Sequence, residues 1–412
     1  MEKIKNILSN TKQKLKKTFK FVSKNNKYNF MEVVALMIIA SIFGMLLGGV
    51  LMYKKGSLNT GIKKELNEFL NTYTEVLNEY YEEIPAQELL EAGVKGMISY
   101  LGDPYSVYMD KDTTMAFNEK VSGEYVGIGT EIIMYADGKV EFKDVYEDGP
   151  AYDAGIRNGD ILVKVDGTKI ENMKLTEISK LVKGKVGTKV KITVLRNEEE
   201  KTFEVKRKSI DIQSVTSNII EYNNKKVGVI TISLFAANSA NQFKTELEKI
   251  EHDGIDSLVI DVRSNSGGYL TIVTDILSLF VKKGEVIYQL KTKDEIEKIY
   301  DKTDEKRDYK VAVLVNGGSA SASEVLASCM KETYKAYVVG TTTYGKSKVQ
   351  KTQDLSNGTS IKFTFQEWLT PSGNSLGGKG MEPDHVASFV ASDTENEYDS
   401  QLKTALDLLT GE

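Results

Sequence analysis

The stretch Ser319-Ala320-Ser321-Ala322-Ser323-Glu324 sets three hydroxyls at alternate positions between a strand-like and a helix-like segment. Before it, Val311 to Val315 is an apolar run of strand length, broken by Asn316-Gly317-Gly318. After it, Ala322, Val325, Leu326, Cys329 and Met330 recur at the spacing of one helix face. Where a strand turns into a helix, backbone N–H groups are unpaired and the dipole favours negative charge, so this is a good place to stabilise an oxyanion. A local alternative is that Ser321-Ala322-Ser323-Glu324 forms a capping box in which Ser321 only caps the helix.

A second chemical pattern follows the strand-like run Ala336 to Gly340. Gly340-Thr341-Thr342-Thr343-Tyr344-Gly345-Lys346-Ser347 matches the phosphate-binding P-loop pattern in full, and Val259-Ile260-Asp261 could serve as its acidic strand. A P-loop must open a helix, whose N-terminus helps hold the phosphates. Lys348 to Gln353 continues instead into a turn at Ser356-Asn357-Gly358, and Ser360 to Phe365 then alternates like a strand. The pattern therefore lacks the helix it needs.

The elements that must position these residues are those of a chain of 412 residues, long enough for two or three domains. Cys329 is the only cysteine, which excludes an intrachain disulfide and reads as a buried structural thiol. With two histidines, His252 and His385, a histidine-rich metal site is excluded. A Ser-His-Asp triad would have to use one of them. His252 reads as a solvated helix end, and His385 lies near a strand start after Pro383-Asp384.

Residues 1–30 form a basic tail, with nine lysines against Glu2 alone. Val33 to Met52 is then apolar apart from Ser41, and its 20 residues at ~1.5 Å rise would span the ~30 Å bilayer core. The lysine excess puts the N-terminus in the cytoplasm and everything beyond residue 55 outside. An uncleaved anchor is expected, because Leu51-Met52-Tyr53-Lys54-Lys55 lacks the small residues of a signal cleavage site. Gly44 and Gly48 could pack a partner helix. Residues 57–120 form a helical region whose Leu66, Leu70, Tyr73, Leu77 and Tyr81 stripe reads as core or a dimer contact; Leu101-Gly102-Asp103-Pro104 stops it.

From Gly123 the texture changes to short strands and glycine turns. Tyr125 to Ile132, Ala154-Gly155-Ile156, Gly159-Asp160-Ile161-Leu162, Val165-Asp166-Gly167 and a helix carrying Leu175, Ile178, Leu181 and Val182 come in the order of a PDZ domain, which residues 121–208 resemble. PDZ domains hold a peptide C-terminus in a nest of backbone N–H groups and add the peptide as a strand. The resemblance implies that Val126, Gly127, Ile128 and Gly129 form the carboxylate loop and that Leu175 and Ile178 help line the groove. A PDZ unit that only packs against its neighbour is the alternative.

Residues 209–390 read as α/β. Strand Ser257 to Arg263 ends in Ser264-Asn265-Ser266-Gly267-Gly268, where paired glycines either let backbone approach a substrate or merely form a turn. Residues 391–412 should hold a terminal helix. Leu101-Gly102-Asp103-Pro104-Tyr105-Ser106, the PDZ segment, Asp261 to Gly268, the serine cluster, Gly345-Lys346 with Gln350, and Thr370-Pro371-Ser372-Gly373 through Pro383-Asp384 follow the order seen in one family. Together they resemble the carboxyl-terminal processing peptidases, or tail-specific proteases, over residues 60–390.

That resemblance implies a crotonase/ClpP-like serine protease core with an inserted PDZ domain and a Ser-Lys dyad. Ser321 matches the nucleophile, Lys346 the base and Gln350 the glutamine that orients it, leaving Ser319, Ser323 and Lys348 as decoys. Ser347 departs from the glycine expected after Gly-Lys. An ordinary lysine with pKa ~10.4 is neutral about once in 2,500 at pH 7, so Lys346 must sit in an apolar, closed pocket. Ser321 would attack a peptide carbonyl, and N–H groups of Ala322 and of Gly267 or Gly268 would hold the oxyanion. No metal or organic cofactor and no nucleic acid is implied. The expected partners are protein C-termini, the membrane and a second copy of the chain. An inactive, membrane-tethered PDZ scaffold and an esterase of extracytoplasmic acyl esters are the rivals, and the PDZ unit could gate the site until a tail docks.

Overall fold

The computed structural model describes residues 60–392 and 397–411. The basic tail and the Val33–Met52 span lie outside them. Among the described residues no helix is long and apolar enough to cross a membrane.

The chain divides into two compact units between Gly93 and Val94. The first contains α1 (Thr60–Glu79) and the start of α2 (Ala86–Tyr100), joined where the Tyr73 hydroxyl donates to the Ala86 carbonyl at 2.9 Å. Of the stripe read as core or a dimer contact, Leu66 is 53 % and Tyr81 82 % exposed, while Tyr73 and Leu77 are half-buried. An amphipathic helix buries its apolar face only where another element covers it.

In the second unit, β1 (Val107–Met109) and α3 (Lys111–Ser122) lead into β2 (Glu124–Gly127). The Asp110 carboxylate caps α3 by accepting from the Thr113 N–H, and Gly123, at φ 73°, ends it. A β-domain follows, made of β3 (Thr130–Met134), β4 (Val140–Val145), α4 (Pro150–Ala154), β5 (Ile161–Val165), β6 (Thr168–Lys169), α5 (Leu175–Val182), β7 (Lys189–Arg196) and β8 (Glu199–Lys206). The chain leaves through β9 (Lys208–Asp211), which pairs antiparallel with β2 from Glu124↔Asp211 to Gly127↔Lys208. Entry and exit strands thus form a two-stranded neck. The domain's sheet runs β3-β4-β5-β7-β8, so β3 is an edge strand, and α5 turns Ile178 fully into the core beside Phe142 and Val190.

The remainder is built on a six-stranded sheet: β10 (Val215–Tyr222), β11 (Lys225–Ile232), β12 (Ser257–Asp261), β15 (Lys310–Val315), β16 (Tyr337–Gly340) and β19 (His385–Val386), in that order. All pairs after β10–β11 are parallel. Parallel strands are covered on both faces. Leu258, Ile260, Val311 and Val313 pack under α6 (Ser239–His252), α7 (Leu270–Leu277) and α8 (Ala322–Cys329), while Val259, Ala312 and Leu314 face α9 (Ser400–Thr410). A second sheet holds β13 (Val286–Lys291), β14 (Ile296–Tyr300), β17 (Lys348–Asp354) and β18 (Ser360–Leu369), with β1 beside β18. Because Ser347 leads into strand β17, the helix that a P-loop requires is absent from this place.

Candidate active site

The loops after β12, β15 and β16 leave the same, carboxyl-terminal end of the parallel sheet, the usual place for a site in an open α/β sheet. The β15 loop turns at Asn316, whose Oδ1 accepts from the Ser264 and Gly318 N–H groups at 2.8 and 2.9 Å. It delivers Ser321 to the start of α8 at φ 55°, ψ −113°, a conformation that only glycine adopts readily. The flanking hydroxyls are engaged in the frame. Ser319 Oγ donates to the Val262 carbonyl and Ser323 Oγ to the Asn265 carbonyl, both at 2.8 Å, and both residues are buried. The Ser321 hydroxyl is different. The Glu324 N–H donates to the Ser321 carbonyl oxygen at 2.8 Å, leaving the hydroxyl without a capping hydrogen bond.

What the capping-box pattern supplies instead is Glu324. This fully buried carboxylate accepts four hydrogen bonds. Thr343 Oγ1 and the Gly345 N–H donate to one oxygen at 2.6 and 2.7 Å, and the N–H groups of Ser321 and Lys346 donate to the other at 2.8 and 2.9 Å. The backbones of Ser321 and Lys346 therefore meet on a single oxygen atom. The loop carrying Lys346 depends on glycines: a Cβ on Gly340 at its start would lie 1.9 Å from the Val315 carbonyl oxygen, and one on Gly380, in the segment packed against it, 2.1 Å from that of Thr343.

From its other side Lys346 is held by Trp368, whose indole N–H donates to the Lys346 carbonyl at 2.9 Å. The lysine amine lies 4.8 Å from the centre of the Tyr105 ring. Burial holds its pKa below the ordinary lysine value. The like charge of Lys362 pushes the same way, and Asp103 and Glu324 pull against both. Lys348 is exposed on β17.

Gln350 does not reach Lys346 in this arrangement. Its amide N–H donates to Thr364 Oγ1 at 3.2 Å, because the β17–β18 register shifts between Val349 and Gln350 and re-aims the side chain. The two glycines are also distinguished. The Gly267 N–H donates to Asn265 Oδ1 at 2.8 Å, whereas those of Gly268 and Ala322 have no partner among the described residues. Gly267 packs so closely on the serine loop that a Cβ there would meet the Ser321 Cβ at 2.9 Å.

The remaining residues divide clearly. His252 ends α6 with its side chain 91 % exposed, and the His385 ring packs edge-on against Tyr337 on the outer strand. Cys329 is buried, which pushes its thiol up to about 12. In the β-domain, Val126 and Gly127 lie in the neck strand β2, Ile128 is buried in the core and Gly129 takes φ 75°. Leu175 is 36 % exposed at the first turn of α5; Ile178, fully buried, fixes that helix and offers no open surface.

Sequence reasoning missed the roles of Glu324, Trp368 and Tyr105. The capping-box spacing pointed to Glu324 without showing that its carboxylate crosses to a second loop. Nothing local to Trp368 or Tyr105 reveals what they touch.

A serine on a strained turn with no hydroxyl partner among the described residues, a lysine of lowered basicity and two N–H groups likewise without partners there meet at one sheet end, and together define the class, a serine-hydrolase site on an α/β core. Comparison with known proteins places it further. A peptidase family S41 model matches residues 226–387, a PDZ domain model 141–196, and a model of the activating protease CtpB N-terminal domain 50–113. Probable CtpA-like serine proteases of Staphylococcus haemolyticus and Staphylococcus epidermidis are 40 % and 35 % identical over 81 % and 91 % of this chain, which spans 66 % and 76 % of their lengths. Among solved structures, a photosystem II D1 C-terminal processing protease is 24 % identical with a TM-score of 0.47, over 82 % of this chain and 90 % of that one. The chain belongs to peptidase family S41.

Proposed function

We propose that the chain is a membrane-anchored serine endopeptidase that cleaves extracytoplasmic proteins near their C-termini through Ser321 and Lys346. The observation that carries this reading is the shared Glu324 carboxylate oxygen, which takes the backbone N–H groups of both Ser321 and Lys346 and so holds the serine turn and the loop of the half-buried lysine together. Lys346 takes the Ser321 proton as the oxygen attacks the scissile carbonyl. The N–H groups of Ala322 and Gly268 receive the oxyanion, and the lysine ammonium protonates the departing amine. Water, deprotonated by the same lysine, then releases the acyl group.

The β-domain binds the substrate tail along its edge strand β3, with Leu175 on the groove wall. Gating by this domain is supported by its ties to α3, where Lys180 pairs with Asp112 at 2.7 Å and Lys183 with Glu119. Helix α3 in turn meets β18 through Thr114 and Ser360, 2.9 Å apart. Gln350 then moves from Thr364 to Lys346 when a tail docks. The Val33–Met52 span anchors the chain with its N-terminus in the cytoplasm, and a second copy covers the exposed Leu66 and Leu70 face.

The test is cleavage of an unstructured protein by the full chain in detergent, with Ser321→Ala as control. Cleavage by the parent alone supports the reading. Equal cleavage by both, or hydrolysis of small esters with peptides spared, would sink it.

A further inference from the structure

The Leu101–Ser106 turn marks the family resemblance without having a chemical role assigned to it. Its geometry is fixed from three directions. Asp103 accepts from the Tyr105 N–H at 3.1 Å and from Ser106 Oγ at 2.6 Å, and Ser106 Oγ accepts from the Thr364 N–H of β18 at 3.0 Å. Thr364 is the residue that also holds Gln350. The turn is thereby pinned to the strand bordering the lysine loop, and it presents the Tyr105 ring 4.8 Å from the Lys346 amine. The lysine backbone is clamped at both ends, by Glu324 and by Trp368, so the ring is what remains to place the amine.

We propose that Tyr105 is a positioning residue for the base: its ring walls the Lys346 amine from water and holds it without offering a proton acceptor. An amine that must give up its proton to act as a base is poorly served by a carboxylate, which would hold the ammonium. An aromatic face attracts the cation only weakly while excluding solvent. Among the described residues the amine is in no salt bridge. The charged groups that act on it are Lys362, which opposes its protonation, and Asp103 and Glu324, which favour it. Both carboxylates are occupied by other donors. Burial keeps the Tyr105 phenol pKa above its ordinary value, with Tyr344 adding to the effect, so the ring is neutral when the lysine titrates.

This inference rests on the Ser321–Lys346 reading but is tested apart from it. Competitive amine labelling with mass spectrometry reads the titration midpoint of Lys346 in the full chain carrying Ser321→Ala, which cannot turn over. Tyr105→Phe should titrate with the parent. Tyr105→Ala should raise the midpoint by about one unit as water enters. Should Tyr105→Ala fail to fold, Tyr105→Leu keeps the apolar bulk without the π face and should lower the midpoint by about half a unit. With Ser321 restored, the acid limb of the kcat/KM profile should follow the midpoint, with KM unchanged. An unmoved midpoint in both Tyr105→Ala and Tyr105→Leu overturns the proposal, as does a Tyr105→Phe shift as large as that of Tyr105→Ala. A shifted midpoint in a chain that cleaves nothing would discard the peptidase reading and leave the ring's role standing.

Discussion

The Lys346 N–H donates to the buried Glu324 carboxylate at 2.9 Å, on the oxygen that also accepts the Ser321 N–H. Two loops separated by a helix and a strand are therefore registered by one side chain. Removing it orphans four donors at once, each costing about 1–3 kcal/mol when buried. Glu324→Ala in a Ser321→Ala background should lose about 3 kcal/mol or more in chemical denaturation. With Ser321 present, Glu324→Gln should retain more stability yet lose activity about a hundredfold, since an amide offers one acceptor oxygen where the carboxylate uses two. Unchanged peptide turnover in Glu324→Gln would show that the two loops need no common anchor.

Ser321 sits at φ 55° and ψ −113°, a backbone position that costs a non-glycine residue about 1–3 kcal/mol. Alanine removes the hydroxyl and keeps the strain, whereas glycine removes both. Ser321→Gly should thus be more stable than Ser321→Ala by about 1 kcal/mol, after allowing for the freedom glycine adds to the unfolded chain. Both should be inactive. Equal midpoints of denaturation would mean that the turn holds no such strain.

Lys346 makes its own contribution to the pH dependence of stability. Burial lowers its pKa in the folded chain, so between that value and the ordinary one near ~10.4 the unfolded chain binds more protons. Stability from this residue therefore rises with pH across that window. Lys346→Met, which removes the buried charge, should be the more stable protein at neutral pH, with the difference shrinking as pH approaches ~10. Denaturation midpoints at several pH values read this directly, and a gap that widens with pH would reverse the sign. Activity should climb through the same lowered pKa.

The fold was legible where periodicity was strong. Val311 to Val315 and the face from Ala322 to Met330 gave the strand–turn–helix, and the order of glycine turns gave the β-domain. Ser319 and Ser323 could be set aside only through the resemblance, and their engagement with the Val262 and Asn265 carbonyls is invisible to spacing because those partners lie on another strand's loop. Gly267 and Gly268 differ in that the Gly267 N–H donates to Asn265 Oδ1 two residues back, a turn contact that the paired glycines alone do not reveal. The Gln350 side chain follows a register shift in β17, and such a shift is set by the neighbouring strand. The open Leu66 face shows the converse: helical spacing predicted the helix but not what would cover it.

The α5 helix offers the last separation of binding from chemistry. Leu175 is exposed at its first turn, whereas Ile178 is core. A docked tail would cover Leu175, and losing that contact is worth about 1.5 kcal/mol or more, a factor of about ten in affinity. Leu175→Asp should raise KM about tenfold for a substrate cleaved near its C-terminus. It should leave turnover of a short peptide that cannot span the two sites unchanged, because Leu175 belongs to the β-domain and Ser321 to the end of the six-stranded sheet. An equal loss on both substrates would assign Leu175 to folding, and no loss on either would move the tail-binding groove elsewhere.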